Sequence, residues 1–173
     1  MLQSADIYVL SGIAALGDDR WTYRDLAQRL GVAPALVQRA LRRAEEAGLY
    51  SGDSRRVHRA NLEEFLRHGL RFVAPGKLGG VVSGEPAAWA APPVSQRIRE
   101  SGDLPPVWPA ADGSTRGQAL APLHEAAGSA AKDFPRLGEL LAIVDSLRAG
   151  DPRVRSVAAK MLVEFLSSQP VRG

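Results

Sequence analysis

The 173-residue chain contains no cysteine, which excludes disulfides, thiolate zinc sites and cysteine nucleophiles. Long apolar runs are also missing. The N-terminal stretch MLQSADIYVLSGIAALGDD is interrupted by serine and glycine, has no leading basic residues, and falls short of the roughly 20 apolar residues of a membrane span. It reads as a first helix, and the expected location is cytoplasmic with no membrane association. Histidine is scarce: His58, His68 and His124 show no HExxH spacing, and the neighbours His124 and Glu125 point to different faces of a helix. The glycine-rich pieces GKLGG and DGSTRG lack the spacing and the Lys-Ser/Thr ending of a phosphate-binding loop, and no GxSxG elbow occurs. The expectation is therefore no catalytic site, no metal and no cofactor.

What the chain does have is an ordinary globular composition, with 45% hydrophobic residues, enough to bury a core in one domain plus an appendage or in two small domains. Its net charge of +3 is unevenly spread. Residues 1–80 carry twelve Lys or Arg against nine Asp or Glu, whereas residues 81–173 carry ten of each. Within Gln38 to Arg59 alone, six arginines face three acidic residues. Arginines usually solvate a surface, so the position of this cluster matters more than its size.

The cluster falls on a recognisable pattern. Thr22 can cap a helix whose Leu26, Ala27 and Leu30 share one buried face, and Gly31 supplies a sharp exit. Val32 plugs the corner and Pro34 suits the first turn of a second helix. Along that helix Val37, Ala40, Leu41 and Ala44 form an apolar stripe, while Gln38, Arg39, Arg42 and Arg43 point elsewhere. Leu49, Tyr50 and Ser51 then read as a strand, with a turn through Gly52 and Asp53 and a return carrying Arg55, Arg56, His58 and Arg59. Asn61, with Glu64 at capping-box spacing, marks the start of a further helix over roughly Leu62 to Phe72, with Leu62, Phe65, Leu66 and Leu70 on its apolar face.

The string DLAQRLGVAPALVQRALRRAEEAGLY, followed by SGDSRRVHRA, resembles the winged helix-turn-helix of bacterial transcriptional regulators, including MarR-like regulators and antitoxin-type autorepressors. The resemblance covers roughly residues 4–72. It rests on the small Ala27, the turn Gly31, the apolar Val32 and the closing Ala47-Gly48-Leu49. Ala33 departs from it, since such proteins usually place a serine or threonine cap there; the loss is worth about 1 kcal/mol, partly offset by Pro34. The resemblance implies that the second helix enters a major groove while the wing lies on the adjacent backbone or minor groove. The candidate DNA-contacting residues are Thr22, Pro34, Ala35, Gln38, Arg39, Arg42 and Arg43 of the helical pair, and Arg55, Arg56, His58 and Arg59 of the wing. Gln38 and Arg39 have the donors and acceptors to read adenine or guanine edges, and the wing arginines suit phosphates or a narrow minor groove.

Beyond Phe72 the chain is dense in proline and glycine through residue 117, so long regular elements are not expected there except a short helix near Val94 to Glu100. Trp89 and Trp108 argue that this stretch is ordered, either packed on the core or lining a partner's pocket, because disordered segments are poor in aromatics. From Phe134 to Ala149 the spacing of Leu137, Leu140, Leu141, Val144 and Leu147 predicts a helix. Asp151 and Pro152 start a second one. Its apolar side (Val154, Val157, Met161, Leu162, Phe165) is too broad for one partner helix. The winged domain, a second copy of the chain or another protein must cover it.

The resulting expectation is a mainly α protein with a winged helix-turn-helix at 1–73, an irregular segment at 74–133 and a C-terminal helical hairpin at 134–169. Leu140, Val144, Val154, Val157, Met161, Leu162 and Phe165 are the candidate dimerisation residues. The function it points to is a dimeric repressor of transcription acting on double-stranded DNA. Two alternatives stand beside it: an antitoxin-like or defence-linked autoregulator whose C-terminal part binds a partner protein, and a winged-helix interaction scaffold that binds no DNA.

Overall fold

The computed structural model describes residues 1–99 and 103–168. The chain is mainly α. Local signals place the first elements where the sequence puts them. Helix α1 (Ser4–Leu16) opens with the Gln3 N–H donating to Asp6 Oδ2 at 2.8 Å. Helix α2 (Tyr23–Leu30) is capped by Thr22, whose Oγ1 accepts from the Asp25 N–H at 3.1 Å. It ends at Gly31 with φ of 68°, the left-handed angle that disfavours any Cβ. Helix α3 (Pro34–Glu46) begins on Pro34 with no side-chain cap from Ala33. Two-residue strands β1 (Tyr50–Ser51) and β2 (Arg56–Val57) pair antiparallel to form the wing.

The next helix differs from expectation. It starts at Arg59, as α4 (Arg59–His68), and a short α5 (Leu70–Val73) follows a break at Gly69. Asn61 does not cap it; its Nδ2 donates to the Gly48 carbonyl at 2.8 Å, tying α4 back to the end of α3. A long-range acceptor has displaced the local capping box.

The proline- and glycine-rich middle is also more regular than its composition suggests. It holds β3 (Leu78–Pro86), β4 (Pro106–Pro109) and β5 (Thr115–Leu120). β3 runs antiparallel to both others, and β4 pairs parallel with β5, so three strands close on themselves. The glycines are the reason closure is possible. A Cβ on Gly84 would run into the Trp108 carbonyl, and one on Gly117 into the Pro105 carbonyl. What reads locally as flexibility is close backbone approach. The helix expected near Val94 to Glu100 is a single 3-10 turn, Val94–Gln96; Glu100 lies outside the described residues.

Helices α6 (Ala127–Asp133), α7 (Pro135–Ala149) and α8 (Pro152–Ser167) complete the chain. Asp151 caps α8 through the Val154 N–H at 2.8 Å, as its Asp-Pro start predicts. Both α1 and α7 are buried on every side over most of their length, and they pack against each other. Helices apolar all round belong at the centre of a fold. The serines within them are satisfied internally: Ser11 Oγ donates to the Ile7 carbonyl at 2.7 Å and Ser146 Oγ to the Ala142 carbonyl at 2.8 Å. No helix among the described residues is long and apolar enough to cross a membrane.

This centre spans the expected boundaries at residues 73 and 133. One continuous core runs from Ile7 through Leu62 and Val94 to Leu166. Most of the candidate dimerisation stripe is part of it: Leu140, Val144, Met161, Leu162 and Phe165 are buried in this core within the single chain, the half-buried Val157 packs against it, and Val154 is buried beside it. α8 lies against both α7 and α4, so the winged domain itself covers the broad apolar side. Met161→Glu combined with Phe165→Glu is therefore expected to unfold the whole chain in one transition, by several kcal/mol, rather than to release folded monomers. Circular dichroism against temperature checks this; a folded double variant would show that the stripe is not core.

The two tryptophans of the middle segment are anchors of this core. Trp89 and Trp108 are half-buried and packed on it. Trp108 Nε1 donates to Asp145 Oδ2 at 2.8 Å, and Asp145 Oδ1 accepts from Arg148 Nη1 at 2.6 Å. Arg148 Nε donates in turn to the Ala74 carbonyl at 2.9 Å. Burial pushes the Asp145 carboxyl above its usual range, against the opposing pull of Arg148 and the indole N–H. This buried network clips the closed sheet and the α5–β3 connection onto α7.

Candidate nucleic-acid interface

Helix α3 buries Val37, Ala40, Leu41 and Ala44. The 3.6-residue period then leaves Pro34, Ala35, Gln38, Arg39 and Arg42 exposed along one ridge. No side-chain hydrogen bond or ion pair engages Gln38, Arg39 or Arg42 among the described residues, so their donors are free for a ligand. Gln38, Arg39 and Arg42 carry side chains able to make directional hydrogen bonds.

Arg43 does not join them. Its Nε donates to Asp6 Oδ2 at 2.8 Å and its Nη2 to Asp6 Oδ1 at 2.7 Å, and the Asp6 side chain is 0% exposed. These hydrogen bonds raise the Arg43 pKa above the ordinary arginine value. A bidentate pair of this kind fixes orientation as well as charge. Arg43 therefore braces α3 against α1, and its guanidinium is engaged by Asp6 rather than left open as those of Arg39 and Arg42 are. Asp6 had no signal of this role in the sequence, where it reads as an acidic residue in a first helical turn.

The wing is seated on the α1–α2 connection. Arg55 adopts φ of 57°, a left-handed conformation uncommon for a residue with a Cβ. Its guanidinium lies 4.4 Å from the Trp21 ring centroid and 5.4 Å from that of Tyr23, the two rings meeting edge to face at 5.7 Å. Such stacking on a largely buried indole holds a cation well. Arg56 Nη1 and Arg59 Nη2 both face Asp18 Oδ1, at 3.3 and 3.7 Å. The turn is tied to the end of α3 by the Gly52 N–H, which donates to Glu45 Oε1 at 2.8 Å. His58 is exposed, and its backbone N–H donates to the Leu49 carbonyl. Thr22 is occupied as the α2 cap. Asp18 and Trp21 organise the wing, and sequence reading missed both because their partners lie more than thirty positions away.

Residues 14–49, from the last turn of α1 through α3 to the start of the wing, match a protein-family model described as winged helix-turn-helix DNA-binding. Comparisons with curated proteins and with solved structures return no match. The matched segment contains α2, α3 and their turn and stops before the two strands of the wing. That segment is thus similar to a winged helix-turn-helix of the DNA-binding kind, which supports a DNA-binding regulator. The match does not separate MarR-like regulators from antitoxin-type autorepressors.

Proposed function

We propose that this protein is a sequence-specific transcriptional repressor that reads the major groove with Gln38, Arg39 and Arg42 and steadies itself on the backbone with Arg56 of the wing and Arg59 at the start of α4, while Arg55 keeps the wing seated. The observation that carries this reading is the ridge on α3. Three polar side chains at i, i+1 and i+4 stand exposed without partners among the described residues, on a helix whose opposite face is locked into the core. Pro34 and Ala35 leave the N-terminal end of that helix slim enough to approach bases, and Thr22 and His58 flank it as candidate phosphate contacts. Repression by occlusion of a promoter needs nothing beyond stable occupancy.

A reader of this size contacts few base pairs, and a second copy of the chain on a two-fold operator is the usual remedy. With the α7–α8 stripe internal, such pairing has to use another face. Selection of bound fragments from native genomic DNA tests the reading. A discrete enriched motif is expected, and inverted symmetry within it would report two copies. A pool with no enriched sequence would sink the proposal and favour the scaffold alternative.

A further inference from the structure

We propose that Asp18 is an internal competitor for the DNA backbone: in the free protein it holds the guanidinium groups of Arg56 and Arg59, and it must surrender them before they reach phosphate. Asp18 thereby lowers affinity for every duplex while touching no base. The inference rests on the DNA-binding reading above.

The geometry distinguishes this pair from the two buried ion pairs among the described residues. In Asp6–Arg43 and Asp145–Arg148 the closest approach is 2.7 and 2.6 Å, with carboxylates that are 0% and 1% exposed. At Asp18 one oxygen serves two arginines at 3.3 and 3.7 Å, the carboxylate is 23% exposed, and the arginines are 64% and 46% exposed. The first two are structural clamps. The third is loose, solvated and shared, and pairs of that kind exchange partners at little cost. A cleft of about 300 Å³ between α1, β2 and the end of α8 opens beside the carboxylate and is lined by Asp18, Arg56 and Arg59, which leaves both side chains room to turn.

Arg55 behaves differently. Fixed on the Trp21 ring at 4.4 Å, it keeps the wing seated while its neighbours change partners. A duplex offers each arginine its own phosphate with a full charge and releases condensed counterions, so trading one shared carboxylate for two phosphates is favourable. The bound state is reached by side-chain rotation alone. Asp18 sets how much of the wing's charge the free protein spends on itself.

Asp18→Asn removes the charge and keeps the shape. Its affinity is measured on the genomically selected duplex and on an unrelated duplex, at low and at moderate salt, with a thermal melt to establish folding. The expected result is binding about two- to tenfold tighter on both duplexes at low salt, the range that two exposed ion pairs span, with the gain shrinking as salt screens it. In an Arg56→Ala/Arg59→Ala background the same substitution is expected to change nothing. Should Asp18→Asn melt early, Asp18→Ser serves as the second charge-removing variant. Equal or weaker binding by the folded charge-free protein overturns the inference, as does a gain that persists without the two arginines. Wild-type protein that retains no duplex at all overturns the functional reading itself, and the inference with it.

Discussion

Asp145→Asn is expected to destabilise the protein by about 3–5 kcal/mol, the range seen when one partner of a buried ion pair is removed. Asp145 and Arg148 are 1% and 5% exposed and meet at 2.6 Å. The substitution keeps an acceptor for Trp108 but strands the Arg148 guanidinium without a countercharge. Replacing both residues, as Asp145→Leu with Arg148→Met, is expected to recover only part of the loss. It removes two desolvated charges, but it also leaves the Ala74 and Ala121 carbonyls without the arginine that now donates to them at 2.9 and 3.3 Å. Denaturant titrations of the two variants against wild type give the comparison. A single variant within 1 kcal/mol of wild type would mean that water relieves the site and that the sheet is not clipped to α7 by charge.

The second large effect lies in binding. Alanine at Gln38, Arg39 and Arg42 together is expected to remove recognition of the selected sequence, each lost bidentate base contact costing about 1–3 kcal/mol. Residual salt-dependent binding through the wing should remain. Stability should stay within about 0.5 kcal/mol, because exposed substitutions away from caps and networks rarely do more. Arg43→Ala provides the contrast within one helix. It strands the fully buried Asp6 carboxylate, so its thermal midpoint should fall, and any loss of DNA affinity should follow from a misplaced α3. A triple alanine variant that still footprints the selected site at wild-type affinity would show that α3 is not the reader.

Much of the reader unit was legible from short-range pattern. Thr22, Gly31 and Pro34 act on backbone within four residues of themselves, so capping chemistry and backbone angles specify the two helices and their turn before anything else folds. The same holds for Asp151 and Pro152 at the start of α8. The exposed ridge of α3 follows from helical period and one apolar stripe. Where reading by pattern failed, a distant partner had outbid a local one: Asn61 reaches Gly48, Arg43 reaches Asp6 across 37 positions, and Arg56 and Arg59 reach Asp18.

By itself the sequence determined the element types at both ends, helix α3 and its exposed polar face, because periodicity and caps are local physics. Only the tertiary structure decided which arginines that face keeps, that glycines close a three-stranded sheet where composition suggested irregular chain, and that the C-terminal stripe packs against the winged domain. The physical reason is common to all three. Burial, ion pairing and close backbone approach depend on what lies opposite a residue, and α1 and α7, buried on every side over most of their length, bring the two ends of the chain together around one core.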